Sequence, residues 1–448
     1  MCDSLVARPR ATARGTALFA KNSDRERNEA QLIELTRARR QAAPPPLGLT
    51  YITIPDVAET HACLLSRPFW MWGAEMGAND RGVVIGNEAL HAVIPAQRRR
   101  ALTGMDLVRL GLERGATAAE AVAVITTLLE RHGQGGDCGH LGRFYYHNGF
   151  IIADPNEAFV LETCGRWWSV ERVASHRALS NAYSIGRDYQ AVSLEFARHA
   201  AAAGWTDAEG RFDPAERLID SARDQVSFGR GRCARGQALL DQQAPGLTPA
   251  HLRAILRDHG VAADWSPAST EGRTLCMHAA EGPRRSQSVA SMVSDLRPGR
   301  AVHWVTASSA PCLSLFKPVV LGAALRPQGA EPTDRYDPQA RWWAHERLHR
   351  GALRAPFDEV LAAIAPERDA LEESFQNQID TALEEGGLDT AIARCWAEAD
   401  AAEARWEAAL PGPTPGGAAH RRSWARLNQV AGIPTKRDII QQVVASSR

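Results

Sequence analysis

The sequence lacks an excess of either charge. Its 448 residues include 52 lysines and arginines and 52 aspartates and glutamates, and the sequence pI is about 7.2. A chain with this balance creates no global field that would draw nucleic acid or an anionic membrane to its surface. We therefore expect no nucleic-acid and no membrane partner, and a small, locally recognised molecule as the ligand.

Long apolar runs are also missing. No stretch is long enough to span a bilayer, and the N-terminus has no apolar segment of signal-peptide length. These absences predict a soluble protein of the cytoplasm. The eight cysteines lie far apart without any C-x-x-C pair, a spacing that suggests neither a zinc site nor a disulfide framework. The sequence thus predicts no metal and no organic cofactor.

Short apolar or alternating runs are present along the first half of the chain. The first two, at 2–7 and 16–20, flank a connection bounded by Pro9 and Gly15, which predicts a hairpin with Cys2 at a strand end. Further strands are predicted at 49–54, 82–87, 150–153, 158–162, 167–173 and 178–184.

Helical spacing of apolar residues between 105 and 128 predicts two helices broken at Gly115. Strands, then helices, then more strands, without regular β–α–β alternation, favour an α+β fold of antiparallel sheets covered by helices. A doubly wound nucleotide-binding fold is not expected. With 44% hydrophobic residues, the chain can bury one large core.

Beyond Pro327 the sequence becomes rich in alanine, glutamate and arginine. Its periodicity predicts helices at 342–353, 357–383 and 388–410. The charged helical stretch 357–410 is a candidate surface for a homo-oligomer, and the oligomeric state stays open.

A run of proline and glycine at 411–417 predicts a linker to a short helical tail that ends at Arg448. The sequence therefore predicts three regions: a main domain at 2–327, a helical C-terminal region at 328–410, and the linker with its tail at 411–448.

Cys2 has unusual chemistry for its position. A small residue after Met1 permits removal of Met1, which leaves a thiol and a free α-amine on one residue. An α-amine has a reference pKa of about 7.7–8.0, so it can act as a base near neutral pH and take the thiol's proton. The cysteine then needs no histidine partner. By position alone, however, a cysteine here is more often a buried strand residue.

Separated blocks of sequence strengthen the hypothesis for Cys2. They are CDSLVA at 2–7, FAKNSDR at 19–25, WMWGAEMG at 70–77, NDRGVVIGNEA at 79–89, GMDL at 104–107, GQGG at 133–136, DPNEAFVLET at 154–163, CMH at 276–278 and FKP at 316–318. In this order they resemble the secernin and dipeptidase family of cysteine N-terminal nucleophile (Ntn) hydrolases. The resemblance spans about residues 2 to 320, and the helical C-terminal sequence matches only in character.

The resemblance implies a four-layer αββα Ntn-hydrolase sandwich, with two antiparallel sheets between helices, Cys2 as nucleophile and a C-terminal helical appendage. Related acylases of the penicillin and bile-salt type have a cationic residue and an aspartate at positions that match Lys21 and Asp24. Lys21, an arginine in those acylases, is assigned to the substrate or to charge stabilisation, without a guanidinium fork. Asp24 is assigned to holding the Cys2 amine; the alternative is a turn or cap aspartate.

The resemblance also implies donors for the oxyanion of amide cleavage. Asn87, after a strand at 83–86, and Asn181 match site asparagines of the acylases, although either one alone is more often a turn residue. The acylases keep an arginine close to the thiol, which matches Arg232 in the run GRGRCAR at 229–235, with Arg235 as the alternative. Otherwise, an arginine run in a glycine-rich loop is most often a solvated surface.

These assignments predict hydrolysis of a small amide, either a dipeptide or an N-acylated amino compound, through a thioester on Cys2. Methionine aminopeptidase is the expected partner for removal of Met1. Two alternatives stay open: acyl transfer to an amine by the same fold, and a non-catalytic, secernin-like interaction protein.

Overall fold

The computed structural model describes residues 1–262, 265–268, 274–279, 286–413 and 418–434. In chain order, the strands are β1 (Cys2–Ala7), β2 (Ala17–Glu26), β3 (Gln31–Thr36), β4 (Arg39–Arg40), β5 (Leu47–Gly48), β6 (Thr53–Ile54), β7 (Glu59–Thr60), β8 (Cys63–Pro68), β9 (Met76–Asn79), β10 (Val84–Leu90), β11 (His147–Ala153), β12 (Ala158–Cys164), β13 (Trp167–Arg172), β14 (His176–Leu179), β15 (Ala191–Val192), β16 (Ser286–Leu296), β17 (Val302–Val305) and β18 (Lys317–Val319). The α-helices are α1 (Gly104–Arg114), α2 (Ala118–His132), α3 (Leu194–Ala202), α4 (Pro214–Leu218), α5 (Ser221–Ser227), α6 (Gly229–Gln243), α7 (Pro249–Leu256), α8 (Arg341–Ala352), α9 (Phe357–Glu385), α10 (Leu388–Ala408) and α11 (Ala418–Ala431).

The strands form two large antiparallel sheets. One has six strands in the order β14-β1-β2-β16-β17-β18, and the other has eight in the order β15-β13-β12-β11-β10-β9-β8-β3. Two short pairs, β4 with β7 and β5 with β6, lie apart from them. The strand that carries Cys2 is thus an interior strand, with neighbours on both sides.

The two sheets stack with helices on both outer faces. β1 packs against β10 and β11, α1 and α2 cover the eight-stranded sheet, and α6, α7, α9 and α10 cover the six-stranded sheet. The layer order is αββα, so the predicted α+β sandwich of two antiparallel sheets is confirmed.

The central strands of the two middle layers, such as β1 and β10, are buried on both faces. Along β10, Val84 packs in the core that also contains Leu5 and Phe19 of the other sheet, whereas Ile85 packs against the side of α1. Successive side chains of a strand point to opposite faces, so both faces of β10 are covered. All seven residues of β10 are therefore buried, including the polar Asn87 and Glu88.

The predicted first hairpin is confirmed. β1 pairs with β2 so that Cys2 lies opposite Ser23, and β2 extends past the predicted residues 16–20 to Glu26. The helix break at Gly115 is also confirmed, because α1 ends at Arg114 and Gly115 is its C-cap.

The strand predicted at 49–54 is wrong. Only Thr53–Ile54 is strand, and it pairs with Leu47–Gly48 across a short connection. Such a two-residue pairing leaves most of the predicted strand in the turn of a small hairpin.

The helices predicted beyond Pro327 are α8, α9 and α10, which are confirmed. Their apolar side chains join the core of the six-stranded sheet, and Trp396 donates a hydrogen bond from Nε1 to the Pro318 carbonyl of β18 at 2.8 Å. The division at 327 stays a prediction. Within the predicted linker and tail, residues 414–417 and 435–448 lie outside the described residues, and α11 falls between them.

No helix within the described ranges is both long enough and apolar enough to cross a membrane.

Candidate functional site

Cys2 begins β1 and lines a cavity of about 680 Å³. The cavity also meets Met1, Asp24 and Asn87, and its wall includes the aromatic residues Phe144, Tyr146 and Phe228. Cys2 is buried, with only 5% of the residue exposed. The cavity is large enough for a small organic molecule.

The thiol of Cys2 lies among charged groups. Its Sγ donates to Glu75 Oε2 at 3.7 Å and accepts the backbone N–H of Asp24 at 3.5 Å. Burial raises the pKa of Cys2 to about 11, against the lowering effect of the Lys21 ammonium. The thiol is therefore protonated at neutral pH and needs a neighbouring base to become a nucleophile.

The backbone of Cys2 is held by Asn181 and Arg232. The Cys2 nitrogen donates to Asn181 Oδ1 at 2.7 Å, and Arg232 Nη2 donates to the same oxygen at 2.6 Å. Arg232 Nη1 donates to the Cys2 carbonyl at 3.2 Å and forms an ion pair with Asp3. Asn181 and Arg232 thus lie behind the Cys2 main chain and fix its position.

The structure distinguishes which of Arg232 and Arg235 lies beside Cys2. The run 229–235 forms the first turns of α6 rather than the glycine-rich loop of the sequence interpretation. Arg232 is fully buried against Cys2, whereas Arg235 has a side chain that is 30% exposed and pairs with Asp258 at 2.8 Å. The structure therefore brings Arg232, and not Arg235, to the nucleophile candidate.

Asp24 lies near the N-terminus but is not bonded to the Cys2 nitrogen. Its Oδ1 accepts a hydrogen bond from Ser288 Oγ at 2.7 Å, and its backbone carbonyl accepts one from the Met1 amine at 2.9 Å. Burial raises the pKa of Asp24 to about 7, while the N-terminal amine lowers it. The contact between Asp24 and a free Cys2 amine stays a prediction, because in this chain the Cys2 nitrogen donates to Asn181.

Lys21 of β2 lies between the two sheets, next to Glu88 of β10. Its side chain is fully buried and its Nζ is 3.5 Å from Glu88 Oε1. Burial alone would lower the pKa of Lys21, but the neighbouring Cys2, Glu88 and Glu75 outweigh it and the pKa is raised. Gly86 makes this placement possible, since a Cβ there would lie 2.6 Å from Lys21 Cδ. Lys21 is thus a permanent positive charge beside the thiol.

Asn87 lies inside β10, as the predicted strand at 82–87 has it, and its placement after a strand at 83–86 is wrong because β10 extends to Leu90. It lines the cavity, but its Nδ2 donates to Asn148 Oδ1 at 2.8 Å and to the Gly149 carbonyl at 3.4 Å. Asn148 in turn donates to Gln134 Oε1 at 2.7 Å, which fixes the orientation of both amides. A role for Asn87 as oxyanion donor stays a prediction, since it requires one of these bonds to open.

Three charged residues of the site were not singled out from the sequence. Glu75 and Glu88 are buried acids, and Arg25 pairs with Glu75 at 3.2 Å and with Glu29 at 2.5 Å. The sequence does contain a signal for Glu75 and Glu88, because each is an acid that interrupts a stretch of apolar or small residues. An ionisable residue in a buried strand needs a partner and marks a candidate site.

No family model matches the chain, so membership in the secernin and dipeptidase family stays a prediction. Among solved structures, the chain is similar to a mutant conjugated bile acid hydrolase from Clostridium perfringens, with a TM-score of 0.44 and 11% identity over 72% of this chain and 93% of that one. It is also similar to penicillin V acylase from Agrobacterium tumefaciens, with a TM-score of 0.39 and 11% identity over 72% and 86% of the two chains. A third is the N-acylethanolamine-hydrolyzing acid amidase ortholog of Caenorhabditis elegans, with a TM-score of 0.35 and 11% identity over 66% and 94%. At these values the similarities assign no activity.

Proposed function

We propose that the protein is a cysteine N-terminal nucleophile hydrolase that cleaves a small amide, such as a dipeptide or an N-acyl amino compound, once Met1 is removed. One observation carries the proposal. The nitrogen of Cys2 is fixed by Asn181 at 2.7 Å, while the thiol of the same residue meets a cavity of about 680 Å³. Loss of Met1, which lines the same cavity, turns that fixed nitrogen into an α-amine beside the thiol.

The high pKa of the thiol makes a local base necessary. With a pKa of about 11, roughly one Cys2 thiol in ten thousand is ionised at pH 7. A free α-amine with a pKa of about 7.7–8.0 removes the thiol proton as the sulfur attacks the amide carbonyl. The same proton then passes to the leaving nitrogen, which departs as an amine and leaves a thioester on Cys2. Water, deprotonated by the amine, hydrolyses the thioester and restores the thiol.

The buried charges near Cys2 suit this sequence. Lys21 lies on the thiol side and stabilises the thiolate as it forms. Arg232 is paired with Asp3 and holds Asn181, which in turn holds the nitrogen. We assign Lys21 to charge stabilisation and Arg232 with Asn181 to positioning of the base.

Turnover of a panel by the purified, Met1-free protein tests the proposal. The panel contains dipeptides, a conjugated bile acid, penicillin V and an N-acylethanolamine, and intact mass reports both Met1 removal and a trapped thioester. We expect Cys2→Ala to lower kcat/KM by about 10³-fold or more and to abolish the thioester. Cys63→Ala is the matched control, because Cys63 is an equally buried cysteine on the far side of the second sheet.

Three results would contradict the proposal: turnover that survives in Cys2→Ala, retention of Met1 in protein from the native host, or no turnover of any member of the panel. The last two results would favour the interaction protein. A competing amine added to a working reaction distinguishes acyl transfer from hydrolysis, because transfer yields the new amide in place of the free acid.

A further inference from the structure

A second cluster of reactive side chains lies outside the cavity. His259 follows α7, Cys276 and His278 belong to the segment 274–279, and Cys312 lies between β17 and β18. One ligand atom from each lies within 4.8 Å of all the others. Three of the four side chains are buried and His259 is partly buried, so the cluster is enclosed.

We propose that His259, Cys276, His278 and Cys312 bind one zinc ion in a closed tetrahedral site. Ligand atoms of the other three residues converge on His278 Nε2. His278 Nε2 lies 3.2 Å from His259 Nε2, 3.5 Å from Cys276 Sγ and 3.4 Å from Cys312 Sγ. An imidazole nitrogen carries either one hydrogen or one lone pair, so hydrogen bonding satisfies only one of these three contacts. A shared cation satisfies all of them.

The distances fit a zinc tetrahedron. Zn–N bonds of about 2.0–2.1 Å and Zn–S bonds of about 2.3 Å give edges of about 3.4 Å between two nitrogens and about 3.6 Å between nitrogen and sulfur. The three measured edges involving His278 lie within about 0.2 Å of these values. The side chains therefore stand at ligand spacing.

The donor set also selects the metal. Two thiolates and two imidazoles are typical of structural Zn²⁺, whereas Ca²⁺ and Mg²⁺ prefer oxygen. Two thiolates neutralise the charge of the ion, which lowers the cost of burying it. Four protein ligands leave no position for a substrate, so the site is structural.

Neighbouring groups hold the ligands in place. The His259 ring stacks on Trp265 with centroids 4.0 Å apart, the Cys276 backbone N–H donates to the Asp258 carbonyl at 3.0 Å, and Arg368 Nη1 donates to the Cys312 carbonyl at 2.6 Å. Such outer contacts fix ligand orientation at metal centres.

The site also supports the cavity. Met277, between two ligands, donates its N–H to Ser288 Oγ at 3.1 Å and accepts the Ser288 N–H at 2.9 Å. Ser288 Oγ donates to Asp24 Oδ1 at 2.7 Å. A zinc ion that fixes the segment 274–279 therefore fixes the hydrogen-bond partner of Asp24.

Metal analysis of the full chain, desalted after expression in medium containing zinc and other trace metals, tests the proposal. We expect about one zinc per chain. Cys276→Ser and Cys312→Ser should lose the zinc, and Cys395→Ser should keep it, because Cys395 is a buried cysteine in α10 outside the cluster. Cobalt substituted into the wild type should give the absorption bands of a tetrahedral site with thiolate ligands.

His259→Ala keeps the test decisive if the cysteine variants fail to fold, since His259 is only partly buried. It should release zinc to a chelator at least about tenfold faster than the wild type, as loss of one ligand predicts. Wild-type protein without zinc, or zinc that is retained unchanged in both Cys312→Ser and His259→Ala, would overturn the proposal. So would a titration that finds six free thiols in the denatured wild type and seven in both Cys276→Ser and Cys312→Ser, which would indicate a Cys276–Cys312 disulfide. None of these measurements depends on hydrolase activity.

Discussion

At the scale of single residues, the site depends on which side chains of β1 and β2 point to the same face of the sheet. Cys2 contacts Glu75, which directly precedes β9 of the eight-stranded sheet. Lys21 contacts Glu88 of β10, and Arg25, on the same face of β2 as Lys21, contacts Glu75. Asp3 pairs with Arg232 of α6 on the opposite face. Side chains alternate along a strand, so the thiol and its positive neighbour share one face while the positioning groups occupy the other.

Asp24→Asn is expected to stabilise the fold at pH 8 but not at pH 4. The folded pKa of Asp24, about 7, lies above its ordinary value of 3.8 because of burial. Because folding raises the pKa of Asp24, the folded state favours its protonated form. The contribution of Asp24 to the free energy of unfolding is therefore fully present below pH 3.8 and is lost as the pH rises through 7. Asparagine does not suffer this loss, so we expect an advantage of about 1 kcal/mol or more at pH 8 in urea unfolding.

Asp188→Asn, at a solvent-exposed position, is the control for the change from aspartate to asparagine. An advantage of Asp24→Asn that is equal at pH 4 and pH 8 would refute the argument. If Asp24 also holds the Cys2 amine, the same variant should lose turnover while it gains stability.

At the scale of elements, α6 sets the position of the nucleophile candidate. The helix begins at Gly229 and carries Arg232 one turn later. A Cβ at Gly229 would lie 2.7 Å from the backbone carbon of Asn181, whereas a Cβ at Gly231 would meet nothing within 4 Å. In the first turn of α6, glycine is therefore required at position 229, which faces Asn181, and not at position 231.

Gly229→Ala should push α6 away from Asn181 and weaken the contacts of Arg232. We expect a destabilisation of about 1–3 kcal/mol, as for an overpacked core, together with lower turnover. Gly231→Ala, in the same helical turn, should be neutral or stabilising by up to about 1 kcal/mol, because alanine favours helix. Urea unfolding of both variants measures the difference, and equal effects would show that the contact with Asn181 does not limit the helix.

At the scale of the whole molecule, the C-terminal helices share the core of the six-stranded sheet. Trp396 of α10 is fully buried against β18, and Glu372 of α9 forms a partly buried ion pair with Arg257 at 2.6 Å. Burial of large aromatic side chains and paired charges across a boundary couples the stability of its two sides.

A chain that ends at 327 is therefore expected to be insoluble or to lack a cooperative unfolding transition. Removal of the helices exposes the outer face of β18 and leaves the partly buried Arg257 guanidinium without the Glu372 carboxylate. A chain that ends at 434 keeps every described contact and is the control. Solubility and urea unfolding decide the matter: cooperative unfolding of 1–327 at the midpoint of the longer chain would support an independent domain at 2–327.

Most elements could be predicted because their signals are local. The first hairpin, the helix break at Gly115 and the three long C-terminal helices follow from turn residues and helical spacing. The strand at 49–54 failed because its apolar residues serve a turn between two short strands, a choice that depends on what packs against it.

The sequence by itself determined that Cys2 lies at one end of a strand and that helices cover antiparallel sheets, since both follow from short-range patterns. Only the tertiary structure decided that Arg232 rather than Arg235 reaches Cys2, that Glu75 meets the thiol, and that Asn87 turns its amide toward Asn148. It also brought together His259, Cys276 and Cys312, which are widely separated in the chain and carry no recognisable metal-binding spacing. The physical reason is that such contacts are made across sheets and between layers, where position depends on packing and not on neighbours in sequence.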